Sequence, residues 1–179
     1  AEAAQWGNGF LSLGLTRGDR ILLFLDDTPA YPAAFFGAVR AGFVPLLINT
    51  LTPPDLLQFY LSDAGAKVAV ADAEFAARFD PEACKDTPLA ALIVVNGAAG
   101  ANAAPRTIAA DQWLQGFAAD LAEADTSRND MAFWMYSSGS TGAPPPPGEG
   151  LSSPRGATGR ARRGATTTAS SPGLRARRR

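Results

Sequence analysis

The sequence contains no histidine and a single cysteine. Without histidine, neither a Ser-His-Asp triad nor most zinc sites can be assembled. With Cys84 alone no intrachain disulfide is possible, which fits a reducing compartment, and a cytoplasmic location is expected. Cys84 lies in the polar stretch Pro81-Glu82-Ala83-Cys84-Lys85-Asp86, where no histidine is present to activate it, and reads as an ordinary free thiol. No apolar run reaches the ~18 residues of a membrane span. The first residues lack the basic-then-apolar order of a signal peptide, and Ala1-Glu2-Ala3-Ala4 reads as the inside of a helix. Net charge is also nearly absent, at −1, but the balance is uneven. Residues 1–142 hold 8 basic and 16 acidic side chains, a net of −8, whereas residues 143–179 hold 8 and 1, a net of +7. Such a split separates a folded domain, expected at 1–142, from a tail at 143–179.

Hydrophobic residues make up 46% of the chain, enough for the domain to bury a core. Ala3, Trp6, Phe10 and Leu13 recur at helical spacing before Gly14, with Gly7 and Gly9 each weakening that helix by about 1 kcal/mol relative to alanine. Thr16-Arg17-Gly18-Asp19 reads as a turn, and Arg20 to Leu25 as a buried strand. Asp26 and Asp27 end the strand in a solvated turn, with no further ligand spaced for metal or acid–base chemistry. A helix runs from there to about Ala41, with Tyr31, Phe35, Phe36 and Val39 on one side; Pro29 and Pro32 are alternative first positions. Phe43 to Ile48 is a strand in which Pro45 predicts an edge or a bulge. Thr52-Pro53-Pro54-Asp55 starts a helix carrying Leu56, Leu57, Tyr60 and Leu61 and ending at Gly65. Strands at 67–71 and 89–95 follow, with a short helical stretch over 72–87 between them. The strands begin near 21, 44, 68 and 91, at steps of 23, 24 and 23 residues. One strand, one helix and two connections fill that interval, so the fold class is α/β, a mostly parallel sheet of βα units. Residues 96–107 read as a surface loop, and Trp113, Phe117 and Leu121 as the core stripe of a further helix.

The chain then reaches Met131-Ala132-Phe133-Trp134-Met135-Tyr136, read as a buried strand, and Ser137-Ser138-Gly139-Ser140-Thr141-Gly142. Glycines let backbone N–H groups approach an anion, and hydroxyls add donors without charge. The GK[ST] ending of a Walker A loop is absent. From composition alone, a phosphate-binding loop and a flexible connection both remain open.

Tyr136-Ser137-Ser138-Gly139-Ser140-Thr141-Gly142 resembles the ATP phosphate loop of the adenylate-forming superfamily, which includes acyl-CoA synthetases, peptide-synthetase adenylation domains and luciferases. Gly18-Asp19-Arg20-Ile21 is similar to that family's G-D-R-V, and Phe35 to Pro45 to its F-x-G-x-x-x-A-G-x-V-P segment. Asn49-Thr50-Leu51-Thr52-Pro53 and Phe133 to Ser138 resemble the benzoate-CoA ligase branch. The similarity extends over residues 1–142 and implies the N-terminal part of an AMP-binding domain. It implies an acid–thiol ligase in which a carboxylate, benzoate-like and aromatic, attacks the ATP α-phosphate, and coenzyme A then displaces AMP. It implies ATP, Mg2+ and coenzyme A as cofactors, and Ser137, Ser138, Gly139, Ser140, Thr141 and Gly142 as the cofactor-binding residues. No catalytic or metal-ligating residue is implied within this chain.

After Gly142 the resemblance ends. The family continues x-P-K-G, whereas here Pro145 and Pro146 stand at the lysine and glycine positions, removing a cation and an N–H donor. Residues 143–179 are rich in Pro, Gly, Ala, Ser, Thr and Arg without apolar periodicity, and are expected to be disordered. The abrupt change fits a shift of reading frame in GC-rich DNA. The chain is accordingly expected to be truncated and inactive alone, with exposed apolar surface where an α/β domain is cut. Its expected partners are a small-molecule carboxylic acid, ATP and coenzyme A. The alternative is a non-catalytic interaction protein whose arginines contact nucleic-acid phosphates; a nucleic-acid partner is not the expectation adopted.

Overall fold

The computed structural model describes residues 1–97 and 106–136. The tail 143–179 lies outside the described residues. The elements are α1 (Glu2–Ser12), β1 (Arg20–Phe24), α2 (Ala30–Arg40), β2 (Val44–Leu47), α3 (Pro54–Asp63), β3 (Ala66–Asp72), a 3₁₀ turn (Ala76–Arg78), β4 (Ala91–Val95), β5 (Thr107–Ala109), α4 (Ala110–Leu114) and β6 (Trp134–Met135). The six strands form one sheet in the order β5-β4-β3-β1-β2-β6, and every neighbouring pair is parallel. The strand, helix and glycine-stop pattern therefore produces the α/β architecture that its spacing implies.

Alternation along the strands divides the core in two. Ile21, Leu23, Val68, Val70 and Ile93 face α1, α2 and α4, whereas Leu22, Phe24, Leu46, Leu92 and Val94 face α3 and the 3₁₀ turn. Between Arg20↔Ala66 and Ile21↔Val68 the pairing skips one residue, so Lys67 is an inserted bulge. The skip puts Ala66 and Ala69 on the same face and leaves the Lys67 ammonium 2.9 Å from the Asp19 carboxylate.

Five expectations change. Tyr31, Phe35, Phe36 and Val39 do not share one side of α2: Tyr31 and Phe35 are half-buried against the core, Phe36 is 56% exposed, and the buried residues are Ala33, Ala34, Gly37 and Ala38. Small residues are needed there because α1 crosses at backbone distance: a Cβ on Gly37 would lie 2.6 Å from the Ala3 carbonyl and 2.9 Å from the Gly7 nitrogen. Pro45 occupies neither an edge strand nor a bulge, because β2 lies between β1 and β6. The nitrogens of Val44 and Ile48 point to β1, so that of Pro45 points the other way, where the β6 ladder begins only at Leu46. The missing N–H therefore costs no ladder bond among the described residues. The helix expected around Trp113, Phe117 and Leu121 stops at Leu114, and the stretch over 72–87 holds only one 3₁₀ turn. Thr107, the last residue of the loop expected over 96–107, opens the edge strand β5; residues 98–105 lie outside the described residues.

Candidate functional site

In an all-parallel sheet the strands deliver their C-terminal ends to one edge, where ligands of α/β proteins collect. Read from β2 to β5, the order here is 2-1-3-4-5, whose topological switch point falls between β1 and β3. That crevice is closed from within. Asp72, buried at the end of β3, accepts the Asp26 backbone N–H at 2.8 Å and the Asn96 amide at 3.0 Å, bridging the ends of β1 and β4.

The polar groups beside it are also engaged. Asp26 accepts the Thr50 hydroxyl at 2.9 Å. The Arg78 guanidinium donates to the Thr50 and Thr52 carbonyls at 2.7 and 3.1 Å and lies 5.6 and 5.2 Å from the Phe24 and Phe75 ring centres. A cavity of about 290 Å³ opens at the ends of β1 and β2, lined by Asp26, Asp27, Tyr31, Asn49 and Thr50 among others. Burial, and then the Asp27 charge, push the Tyr31 phenol above its ordinary range, so it stays a donor. Asp26 and Asp27 are exposed, as a solvated turn requires. Cys84 is free, and burial followed by Asp80 pushes its thiol up to about 11, opposite to what a nucleophile needs.

The other feature of this edge is β6. It pairs Trp134 with Leu46 and Met135 with Leu47 in parallel register. The stretch from Met131 to Tyr136 is therefore not a buried strand. Only two residues enter the ladder, Phe133 and Met135 are 47% and 62% exposed, and no described strand lies on the outer side of β6. Its alternation still has direction. Trp134 and Tyr136 pack on the α3 side, and Phe133 meets Phe35 of α2 with ring centres 6.1 Å apart. Tyr136 is the last described residue; Ser137, Ser138, Gly139, Ser140, Thr141 and Gly142 lie outside the described residues.

A short parallel strand leading into a serine- and glycine-rich segment is the geometry to set against known proteins. The profile of the AMP-binding enzyme matches residues 1–144. The chain belongs to the AMP-binding enzyme family. Among AMP-binding relatives, a 4-hydroxybenzoate–CoA/benzoate–CoA ligase of Rhodopseudomonas palustris is 37% identical over 142 residues, covering 79% of this chain and 25% of the relative. A benzoate–CoA ligase of Thauera aromatica is 38% identical over 133 residues, covering 74% and 24%. The crystal structure of an anthranilate CoA ligase in complex with anthranoyl-AMP superposes with a TM-score of 0.73 at 28% identity, covering 80% of this chain and 27% of that one. The chain thus spans about a quarter of the length of the curated relatives it matches.

Within this AMP-binding domain, the described residues contain no group of three or more His, Cys, Asp or Glu side chains placed to hold a metal ion. Among them no helix is long and apolar enough to cross a membrane. Sequence reasoning missed the bonds of Asp72 and Arg78, because their partners are 20 or more residues away in the chain. The one available signal was the position of Asp72 and Asn96 directly after apolar strands.

Proposed function

We propose that residues 1–142 supply the front part of the ATP phosphate site of an acid–CoA ligase acting on a benzoate-like aromatic acid. The observation that carries this reading is the run Tyr136 to Gly142 directly after β6, within a domain of the AMP-binding family. Hydroxyls of Ser137, Ser138, Ser140 and Thr141, with the backbone N–H groups that Gly139 and Gly142 leave unshielded, form a donor set suited to a polyphosphate. Bound ATP supplies the leaving group, pyrophosphate, when a carboxylate is activated, and the loop residues hold that charge. The described residues offer no carboxylate cage for Mg2+, so the ion is expected to arrive with the nucleotide. The aromatic acid and coenzyme A are carried over from the named relatives and rest on the 37–38% identity.

Titration of the chain with Mg·ATP tests the reading. Binding that weakens about tenfold in Thr141→Ala supports it, since a hydrogen bond to a charged group is worth ~1.5–3 kcal/mol. Equal affinity of the wild type and Thr141→Ala for ATP overturns it. Residues 1–179 by themselves are expected to give no benzoate-dependent ATP–pyrophosphate exchange; robust turnover would overturn that part.

A further inference from the structure

We infer that Tyr136 and Asp63 form a positioning pair that fixes where the chain leaves β6, and through it the phosphate loop beginning at Ser137. The inference rests on the reading of that loop as an ATP site. The pair is built from two elements distant in sequence. Residue 136 follows the two-residue strand β6, which by itself is too short to hold a loop in place. Its phenol donates a hydrogen bond to the Asp63 carboxylate at 2.5 Å. Its ring lies 4.4 Å from Tyr60, 5.8 Å from Trp134 and 6.2 Å from Phe59. Phe59, Tyr60 and Asp63 share one flank of α3, at i, i+1 and i+4, while Leu57 and Leu61 bury the other flank against the sheet. Thus α3 grips the sheet with one side and Tyr136 with the other.

Asp63 carries a second indication. It is the last residue of α3, where the helix dipole disfavours a negative charge, and the last turn has no basic residue. Among the described residues no Lys or Arg forms an ion pair with it, and its hydrogen-bond partner is the Tyr136 hydroxyl. A carboxylate at that helix end costs stability unless its acceptor is used, and the phenol uses it. Burial, and then the bond to Asp63, raise the Tyr136 phenol above its ordinary range, so it remains a donor through the working pH range. Tyr136 is thus a positioning residue. Its role is to fix the end of β6 from which the loop departs, with no phosphate contact of its own.

The test uses the full chain and compares Tyr136→Phe, Asp63→Ala and the double variant with the wild type by titration with Mg·ATP, with AMP as the control ligand and circular dichroism as the fold check. The phenylalanine variant keeps the stacked ring and removes only the hydroxyl. The expected result is a loss of ATP affinity of about fivefold in each single variant at a temperature where all are folded, no larger in the double, with AMP affinity and the folded circular dichroism spectrum unchanged. Equal ATP affinity in Tyr136→Phe and a wild type that binds ATP overturns the inference and leaves the loop reading standing. A wild type that does not bind ATP overturns the loop reading and the inference with it. A melting temperature that falls while ATP affinity at low temperature is kept shows a purely structural tie and also overturns it.

Discussion

Asp19 shows how much chemistry a short motif can conceal. Gly18 turns the chain at φ +83°, which leaves Asp19 buried at the start of β1. There its carboxylate accepts the Thr16 N–H at 2.7 Å, the Thr16 hydroxyl at 3.0 Å and the Lys67 ammonium at 2.9 Å. Arg20, beside it, donates to the Ala64 and Gly65 carbonyls at 2.5 and 3.1 Å and so caps the end of α3. Burial raises the Asp19 carboxyl, but the Thr16 backbone bond, the Lys67 and Thr16 side-chain bonds and the Lys67 charge together outweigh it, and the net shift is downward. A carboxyl with a folded pKa below its unfolded value of 3.8 stabilises the fold above that value and loses the contribution as pH falls through the folded pKa. Asp19→Asn is therefore expected to lower unfolding free energy by about 1–3 kcal/mol at pH 7. In urea titrations from pH 7 to below 4 the difference from wild type should narrow; a constant difference would refute the charge argument. The turn itself was legible in Thr16-Arg17-Gly18-Asp19. Its bonding was not, because Lys67, Ala64 and Gly65 are more than forty residues away.

At the scale of elements, the contact of α1 with α2 is governed by what is missing from the side chains. Gly7 and Gly37 face each other, and a Cβ on Gly7 would lie 2.9 Å from the Gly37 carbonyl and still closer to Leu121. Gly9 leaves room for the Trp113 ring, with its Cζ3 2.8 Å from a notional Cβ. Weighed by helix propensity alone these glycines are weaknesses; in the packed structure they permit the approach. Gly37→Ala places its methyl against backbone atoms, which cannot swing away as a side chain can. The expected cost is about 1–3 kcal/mol, or a melting temperature lower by ~2–4 °C per kcal/mol, measurable by thermal denaturation. An unchanged melting temperature would mean that α1 and α2 can separate at no cost. The same crossing explains why small residues, and not the aromatics of α2, fill its buried face: periodicity locates a face, but the neighbour's distance selects small residues for it.

Across the whole molecule, α1, α2 and α4 cover one face of the sheet and α3 with the 3₁₀ turn the other. The β6 margin is different. Phe36, Met131, Phe133 and Met135 are all exposed there, and among the described residues the outer side of β6 has no partner strand. An unpaired apolar edge promotes association between chains. Sedimentation velocity is expected to show concentration-dependent association. Met135→Lys, which puts a charge on the edge, should reduce it while the circular dichroism spectrum is kept; a wild type that stays monomeric at every concentration would contradict the expectation.

The α/β class, the four principal strands and the glycine stops at Gly14, Gly42 and Gly65 could be read from the sequence, because apolar periodicity and positive-φ glycines are local signals. So could family membership, carried by Gly18-Asp19-Arg20, the segment from Phe35 to Pro45 and the loop after Tyr136. The sheet order, the bulge at Lys67, the closure of the β1/β3 crevice by Asp72 and the tie between Tyr136 and Asp63 came only from the tertiary structure. Each of these joins residues far apart in the chain, and whether their polar groups meet depends on strand pairing and helix distance, which no local pattern encodes.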